Sequence, residues 1–222
     1  MKGIAEIVDL FKQEYGIPEI RERGSPLESL IQVILSQNTN DKNRDRAWKS
    51  LQKKFDSVEE IMEADVEKIS EAISMAGLHN IKADRIKGCL EKIMKRRGKL
   101  DIDFLENMDT EEAKNWLTGL PGIGPKSAAV VLNFNFGKET FPVDTHVFRV
   151  TKRLGLIPKN STRKKAHEIL EEKVPGERKQ EFHINLIRHG RRTCKARKPL
   201  CNNCNFKQIC NFYKKNKKST PC

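Results

Sequence analysis

Residues 120–129, Leu-Pro-Gly-Ile-Gly-Pro-Lys-Ser-Ala-Ala, are the most informative stretch for the architecture of the chain. Glycines at positions 122 and 124 allow a tight backbone turn, and Pro125 suits the first position of a helix. Main-chain N–H groups exposed at a helix start bind phosphate. A Gly-x-Gly pair by itself is also typical of an ordinary turn. The stretch therefore predicts a turn that enters a helix, with Gly122 and Gly124 as candidate phosphate contacts.

Helical periodicity dominates the rest of the chain. Apolar residues recur at three- and four-residue steps, and alternating strand-like runs are scarce. Two such stripes are Ile4, Ile7, Val8 and Phe11, and Leu27, Leu30, Ile31 and Ile34. Glycine and proline residues divide the chain into about ten segments of helix length. The pattern predicts an all-α fold in which the stripes form the core.

The composition favours a polyanionic partner. Lys and Arg number 43 against 30 Asp and Glu, which leaves a formal net charge of +13. Nucleic acid is the first candidate and an anionic membrane surface the second, while a solvated basic surface is the plain alternative. No apolar run is long enough to cross a membrane, and Glu6 and Asp9 interrupt the apolar pattern of the first residues, unlike in a secretory signal. We therefore expect an intracellular protein of the cytoplasm or nucleoid.

Four cysteines lie close together near the end of the sequence. Cys194, Cys201, Cys204 and Cys210 leave gaps of six, two and five residues, in a block from 188 to 218 with eleven Lys or Arg and no Asp or Glu. In a reducing compartment such cysteines favour metal or cluster ligation over disulfides. Zinc sites usually have two close pairs, and here only one pair is close, but the spacing also differs from ferredoxin patterns. The spacing alone leaves zinc and an iron–sulfur cluster open.

The two other cysteines have simpler interpretations. Cys89 lies on a helical apolar stripe and is predicted to be a core residue. Cys222 is the last residue and is predicted to have no role.

Three separated segments resemble the endonuclease III family of helix-hairpin-helix DNA glycosylases. Residues 120–129 resemble its hairpin, and residues 141–150, which include Val-Asp-Thr-His at 143–146, are similar to its segment with the catalytic aspartate. The cysteine spacing, with the preceding run from residue 183, resembles its cluster loop. The resemblance covers residues 27 to 213 more loosely. It implies that the four cysteines hold one [4Fe–4S] cluster.

The resemblance also implies two all-α lobes with a cleft between them for a flipped nucleotide. One helical barrel lobe is predicted at 27–138 and contains the hairpin. The other is predicted to combine 1–26 with 139–222 around the cluster. The expected partner is double-stranded DNA with a damaged base or an abasic site, and the chain is expected to be a monomer.

By position in the motifs, Lys126 falls on the family's nucleophilic lysine and Asp144 on its catalytic aspartate. Lys126 would begin a helix, whose positive end disfavours the ammonium form and helps supply a free amine. That amine can form a Schiff base with C1′ of the deoxyribose, which permits β-elimination. Asp144, as a helix N-cap, would stabilise positive charge on the sugar as the base departs. A surface lysine and an ordinary cap are the plain alternatives.

Two loops resemble those with which the family fills the gap left by a flipped base. Asn38, in residues 34–41, lies where the family usually has glutamine, and Leu78, in residues 77–80, lies at the position of its apolar wedge. A helix end for Asn38 and a core position for Leu78 are the alternatives. His146 is a further expected DNA contact.

The sequence therefore predicts a base-excision-repair DNA glycosylase with AP lyase activity, directed by family resemblance at oxidised pyrimidines. A glycosylase for uracil or thymine mispaired with guanine is an alternative that the asparagine at position 38 leaves open. An adenine glycosylase is disfavoured because that group generally lacks the nucleophilic lysine. Outside the enzymes, the alternative is a non-catalytic basic DNA-binding module with a structural metal.

Overall fold

The computed structural model describes residues 3–19 and 24–216, in which helices are joined by short loops and no β-strand occurs. The α-helices of this part are α1 (Ile4–Tyr15), α2 (Pro26–Leu35), α3 (Asp41–Lys54), α4 (Val58–Glu63), α5 (Val66–Ala72), α6 (His79–Arg97), α7 (Thr110–Thr118), α8 (Pro125–Phe136), α9 (Thr145–Leu154), α10 (Arg163–Lys173), α11 (Lys179–Arg192) and α12 (Asn211–Asn216). Short 3₁₀ turns lie at Ser74–Ala76, Asp103–Asn107, Gly176–Arg178 and Cys201–Asn203. The predicted all-α fold is confirmed. None of the helices in the described ranges is long and apolar enough to cross a membrane.

The described residues form two compact units. The hairpin unit comprises residues 24–138 and the cysteine unit joins residues 3–19 to 139–216. Each unit buries an apolar core of its own. Both predicted core stripes contribute, one to each unit.

In the hairpin unit, α2 packs against α3, α6 and α8. Its start is a capping box: Ser25 Oγ accepts a hydrogen bond from the backbone N–H of Glu28 (3.2 Å), and the Glu28 carboxylate accepts one from the N–H of Ser25 (2.8 Å). Pro26 occupies the first helical position. Cys89 of α6 is buried in this core, as predicted, and burial raises the pKa of its thiol to about 12.

In the cysteine unit, α11 packs against α1 and α9, and α12 packs against α9. Phe11 of α1 is fully buried; its ring stacks on Phe206 with 4.2 Å between centroids and meets Phe182 edge-on at 5.3 Å. Phe206 lies between Cys204 and Cys210 in the sequence, so this stack packs α1 against the segment that carries the four cysteines, residues 194–210, here called the cysteine segment.

Candidate active site and nucleic-acid interface

The predicted hairpin is a turn between α7 and α8. Gly122 has φ +75°, a left-handed conformation that glycine adopts at little cost, and Ile123 is buried below the turn. Gly124 is the N-cap of α8, and it has no side chain that could accept hydrogen bonds from the first amides of the helix. Pro125 is the first residue of α8 and Lys126 the second, which confirms the predicted turn into a helix. The Lys126 side chain is half-buried.

Two side chains from other elements hold the turn. Gln37, which follows α2, donates from Nε2 to the carbonyl oxygen of Gly122 (2.7 Å). Arg85 of α6 donates from Nη1 to Oε1 of Gln37 (2.7 Å). A Cβ atom at position 122 would lie 2.8 Å from Cδ of Arg85, so glycine is required there by space as well as by φ.

Asn38 and Leu78 both adopt left-handed backbone conformations, each with φ +51°. Among the non-glycine residues that the structure describes, only Lys198 shares a positive φ. Both side chains point outward: Asn38 is exposed, and Leu78 is 53% exposed. The core alternative for Leu78 is therefore wrong, and Asn38 lies beyond the end of α2 at Leu35.

Lys82 of α6 is a residue that sequence reasoning did not single out. Its side chain is 1% exposed, and Nζ donates to the carbonyl oxygens of Leu35 (2.8 Å) and Ala76 (2.9 Å). Burial, aided by the charge of Arg85, lowers its pKa to about 8. In the sequence, Lys82 lies one helical turn before Ile86, and this spacing places it on the apolar face of α6, where it could have been predicted to be buried.

Asp144 is the N-cap of α9, as predicted. Its Oδ1 accepts a hydrogen bond from the backbone N–H of Val147 (2.7 Å), and the side chain is half-buried. His146 is also half-buried, and Arg149 Nη2 donates to its Nδ1 (3.1 Å). Burial lowers the pKa of His146, although the nearby Asp144 carboxylate acts in the opposite direction.

Helix α9 connects Asp144 to the cysteine segment through two arginines that sequence reasoning also missed. Arg149 donates from Nη2 to the carbonyl oxygen of Gly190 (2.8 Å) and from Nε to that of Cys194 (2.9 Å). Arg153, one turn later, donates from Nη1 to Sγ of Cys194 (3.3 Å) and to the carbonyl oxygen of Lys195 (2.7 Å). The position of the Asp144 cap and the path of the cysteine segment are thus fixed by the same helix.

The four cysteines of the predicted cluster loop line one shared pocket. All four are free of disulfides. Burial raises the pKa of the Cys204 and Cys210 thiols, so a cationic centre is needed to hold both as thiolates. In the described ranges no three His, Cys, Asp or Glu side chains are placed to hold a single metal ion. Four sulfur donors around a cavity are a soft ligand set that fits an iron–sulfur centre. Cys222 lies outside the described residues.

Comparisons with known proteins place this geometry in a family. The model of the HhH-GPD superfamily base excision DNA repair proteins matches residues 31–176. Endonuclease III of Sulfolobus acidocaldarius is 36% identical over 193 residues, which cover 86% of this chain and 84% of that protein. The chain belongs to the endonuclease III family. The family prediction is confirmed, and with it the coarse function of a base-excision-repair DNA glycosylase and lyase.

Solved structures agree with this assignment. A non-covalent endonuclease III–DNA complex has a TM-score of 0.82 and 28% identity, over 96% of each chain. A thermostable thymine-DNA glycosylase has a TM-score of 0.76 and 25% identity, over 95% of this chain and 94% of that one. A relative in Arabidopsis thaliana, a DNA glycosylase by its name, is 37% identical over 82% of this chain, which spans 60% of that relative's length.

Proposed function

We propose that this endonuclease III-family enzyme releases oxidised pyrimidines from duplex DNA and nicks the strand at the resulting site, with Lys126 as nucleophile and Asp144 as the carboxylate that assists base departure. The observation that carries the proposal is the placement of Lys126 at the start of α8, directly after the uncapped Gly122–Gly124 turn. A lysine at this point is positioned for covalent chemistry on a sugar whose phosphates contact the turn.

The proposed reaction uses one covalent intermediate. Nζ of Lys126 attacks C1′, the bond from C1′ to the base breaks, and the base leaves with the electron pair and takes up a proton. As the sugar ring opens, the amine loses protons and becomes an imine. The imine acidifies the C2′ proton, and its removal drives cleavage of the C3′–O bond and expulsion of the 3′ phosphate. Asp144 stabilises the positive charge that develops on the sugar while the base departs.

The proposed DNA contacts come from the hairpin and the two exposed loops. Amides at Gly122 and Gly124 would bind backbone phosphates, while Asn38 and Leu78 would occupy the space left by the flipped nucleotide. The strained, outward-facing conformations of the two loop residues support this use, since strain of this kind clusters at functional sites. His146, next to Asp144 on α9, is proposed as a further DNA contact.

We assign a [4Fe–4S] cluster to Cys194, Cys201, Cys204 and Cys210. The group, when bound, would organise a basic segment that has few apolar side chains of its own. Purified protein is expected to be yellow-brown with about four irons per chain. Stoichiometric zinc without visible absorbance would show that the assignment is wrong.

A glycosylase for mismatched uracil or thymine is the second candidate. Two observations favour it: the fold likeness to the thymine-DNA glycosylase, and asparagine rather than glutamine at position 38. Duplexes that each carry one lesion or mismatch, assayed separately for base release and for nicking, distinguish the two candidates.

The decisive experiment is borohydride trapping of the imine on a duplex with thymine glycol. Wild type should form a covalent protein–DNA adduct, and Lys126→Gln should form none while it retains affinity for damaged DNA. Lys95→Gln, an exposed lysine in the last turn of α6, is the matched control and should trap normally. Efficient trapping by Lys126→Gln would contradict the assignment.

A further inference from the structure

The first turns of α6 contact three segments of the hairpin unit. Lys82 reaches the end of α2 and the 3₁₀ turn at Ser74–Ala76, and Arg85 reaches Gln37, which holds the hairpin turn. Each segment lies next to a predicted DNA contact. One side of one helix therefore connects all three.

Lys82 has the most unusual environment of these side chains. It is buried, and its ammonium group bonds to backbone carbonyls rather than to a carboxylate. A charged group that is buried in this way costs free energy unless its hydrogen bonds are made. The folded chain must therefore keep both hydrogen bonds of the Lys82 ammonium group. Through these two bonds, Lys82 joins segments that lie 41 residues apart in sequence.

The two carbonyls that Lys82 holds belong to residues two or three positions before the strained loop residues. Leu35 comes three residues before Asn38, and Ala76 comes two residues before Leu78. The backbone N–H of Lys82 donates to the carbonyl oxygen of Leu78 (3.0 Å), which is the ordinary main-chain bond of the first turn of α6, so the contribution of the lysine side chain is its two bonds to Leu35 and Ala76. Left-handed conformations of non-glycine residues persist only where the surroundings enforce them. The side chain of Lys82 restrains the backbone of both loops at once.

We propose that Lys82 is a positioning residue that sets the spacing of the two DNA-inserting loops, so that the polar filler Asn38 and the apolar wedge Leu78 enter the duplex together. The proposal rests on the proposed function, because it assigns these loops to the opening of DNA. Lys82 does not touch the reacting atoms. Its effect is therefore confined to the step in which the target base leaves the stack.

The test compares a paired with a pre-opened substrate. Single-turnover base release is measured for wild type and Lys82→Met on thymine glycol in a fully paired duplex and in a duplex with a short mismatched bubble around the lesion. We expect the single-turnover rate of base release by Lys82→Met to be about tenfold lower than that of wild type on the paired duplex. On the bubble the rate should approach that of wild type, because the bases around the lesion are already unpaired and the loops are not needed to open the duplex. Lys87→Met is the control, since Lys87 also donates from α6 to a carbonyl, that of Ala64 (2.7 Å), away from both loops.

A second readout does not depend on activity. A 2-aminopurine base beside a stable abasic analogue should brighten when wild type or Lys87→Met unstacks it, and less so with Lys82→Met. If Lys82→Met does not fold, Lys82→Gln, which keeps a donor on a shorter stem, takes its place in both assays. Equal losses on both substrates, or wild-type fluorescence with the variant, would overturn the inference. An inactive wild type that still brightens the probe would instead count against the proposed function alone.

Discussion

At the scale of single residues, two charged side chains are set to different tasks by their surroundings. Asp144 is half-buried at a helix start and has one oxygen engaged by the Val147 amide, so its carboxylate has a fixed direction. Lys82 is buried between carbonyl oxygens and carries its charge in a position where water cannot stabilise it. The first arrangement suits chemistry, and the second suits the fixing of backbone segments.

Asp144→Asn should separate base release from lyase chemistry. Asparagine is as good an N-cap as aspartate, so fold and DNA binding should be retained. Base release should fall by orders of magnitude, because a neutral amide cannot match a carboxylate beside a developing cation. On a pre-formed abasic duplex the variant should keep more of its nicking rate, since no base remains to be expelled. Single-turnover rates on both duplexes measure the difference.

Asp109→Asn is the matched control for that substitution. Asp109 is the N-cap of α7 and accepts hydrogen bonds from the backbone N–H groups of Glu111 and Glu112. The Asp109→Asn variant loses a carboxylate from a helix cap that is not part of the proposed site. The rates of base release and of nicking at an abasic site should therefore be unchanged. A comparable loss with both variants would mean that capping, not catalysis, explains the effect.

Lys82 should make stability depend on alkaline pH. Its pKa is about 8 in the folded chain against an ordinary value of 10.5, so between these values the unfolded chain binds more protons. The free energy of unfolding of wild type, relative to Lys82→Met, should therefore rise as pH increases from 8 toward 10.5, by at most about 3 kcal/mol. Urea unfolding of both proteins at several pH values measures the rise. A constant difference between them would show that the ammonium is not destabilised by burial.

At the scale of elements, helix ends carry the proposed chemistry. α8 starts at the hairpin and α9 starts at Asp144, while α6 supplies the side chains that hold the hairpin turn and the two loops. The remaining lengths of these helices bury apolar faces in the two cores. Residues at the helix starts are therefore held in place by the packing of the helices that carry them.

Gly122→Ala should damage the hairpin in two ways. Alanine is strained at the left-handed φ of +75°, which should lower the free energy of unfolding by about 1–2 kcal/mol. The new Cβ would also displace the Arg85 side chain. Affinity for a duplex with an abasic analogue should fall because the turn can no longer present its amides. Urea unfolding and fluorescence anisotropy give the two quantities.

Gly137→Ala separates backbone strain from the loss of the turn. Gly137, at the end of α8, has φ +62°, and no atom outside its own neighbourhood lies within 4 Å of the point where an alanine Cβ would stand. The variant should show a similar loss of stability with normal DNA affinity. If Gly122→Ala also binds DNA normally, the hairpin turn is not a phosphate contact.

At the scale of the whole molecule, the net charge of +13 is the main property. It favours DNA through the release of counterions, and the block from 188 to 218 concentrates basic residues without any acidic one. Such binding is independent of base sequence and lets a protein slide and hop along DNA.

DNA affinity should therefore fall steeply with salt. Between about 50 and about 200 mM salt the association constant should drop by at least about tenfold, with a log–log slope near −0.9 for each phosphate contacted. Arg197→Gln, an exposed position in the basic block, should reduce the slope by about one. Lys95→Gln should leave it unchanged, and a flat profile in wild type would contradict the electrostatic account.

Features that depend on local pattern could be predicted from the amino-acid sequence alone. Apolar periodicity predicted the helices, a Gly-x-Gly-Pro run predicted the turn into α8, and Asp144 after a proline predicted an N-cap; these are short-range effects of backbone geometry and side-chain spacing. Cys89 was recognised as a core residue for the same reason. The roles of Lys126, Asp144 and the four cysteines came from motif resemblance and stay predictions.

Contacts between distant residues became visible only in the folded chain. Lys82 lies in an apolar register where a charged residue is unexpected, and its two carbonyl partners meet it only once the ends of α2 and the 3₁₀ turn converge. The Gln37–Arg85 support of the turn, and the links from Arg149 and Arg153 to the cysteine segment, likewise join residues 41 to 85 positions apart. Local sequence propensities cannot predict such contacts, because the contacts form only after the helices have packed and buried backbone carbonyls need hydrogen-bond donors.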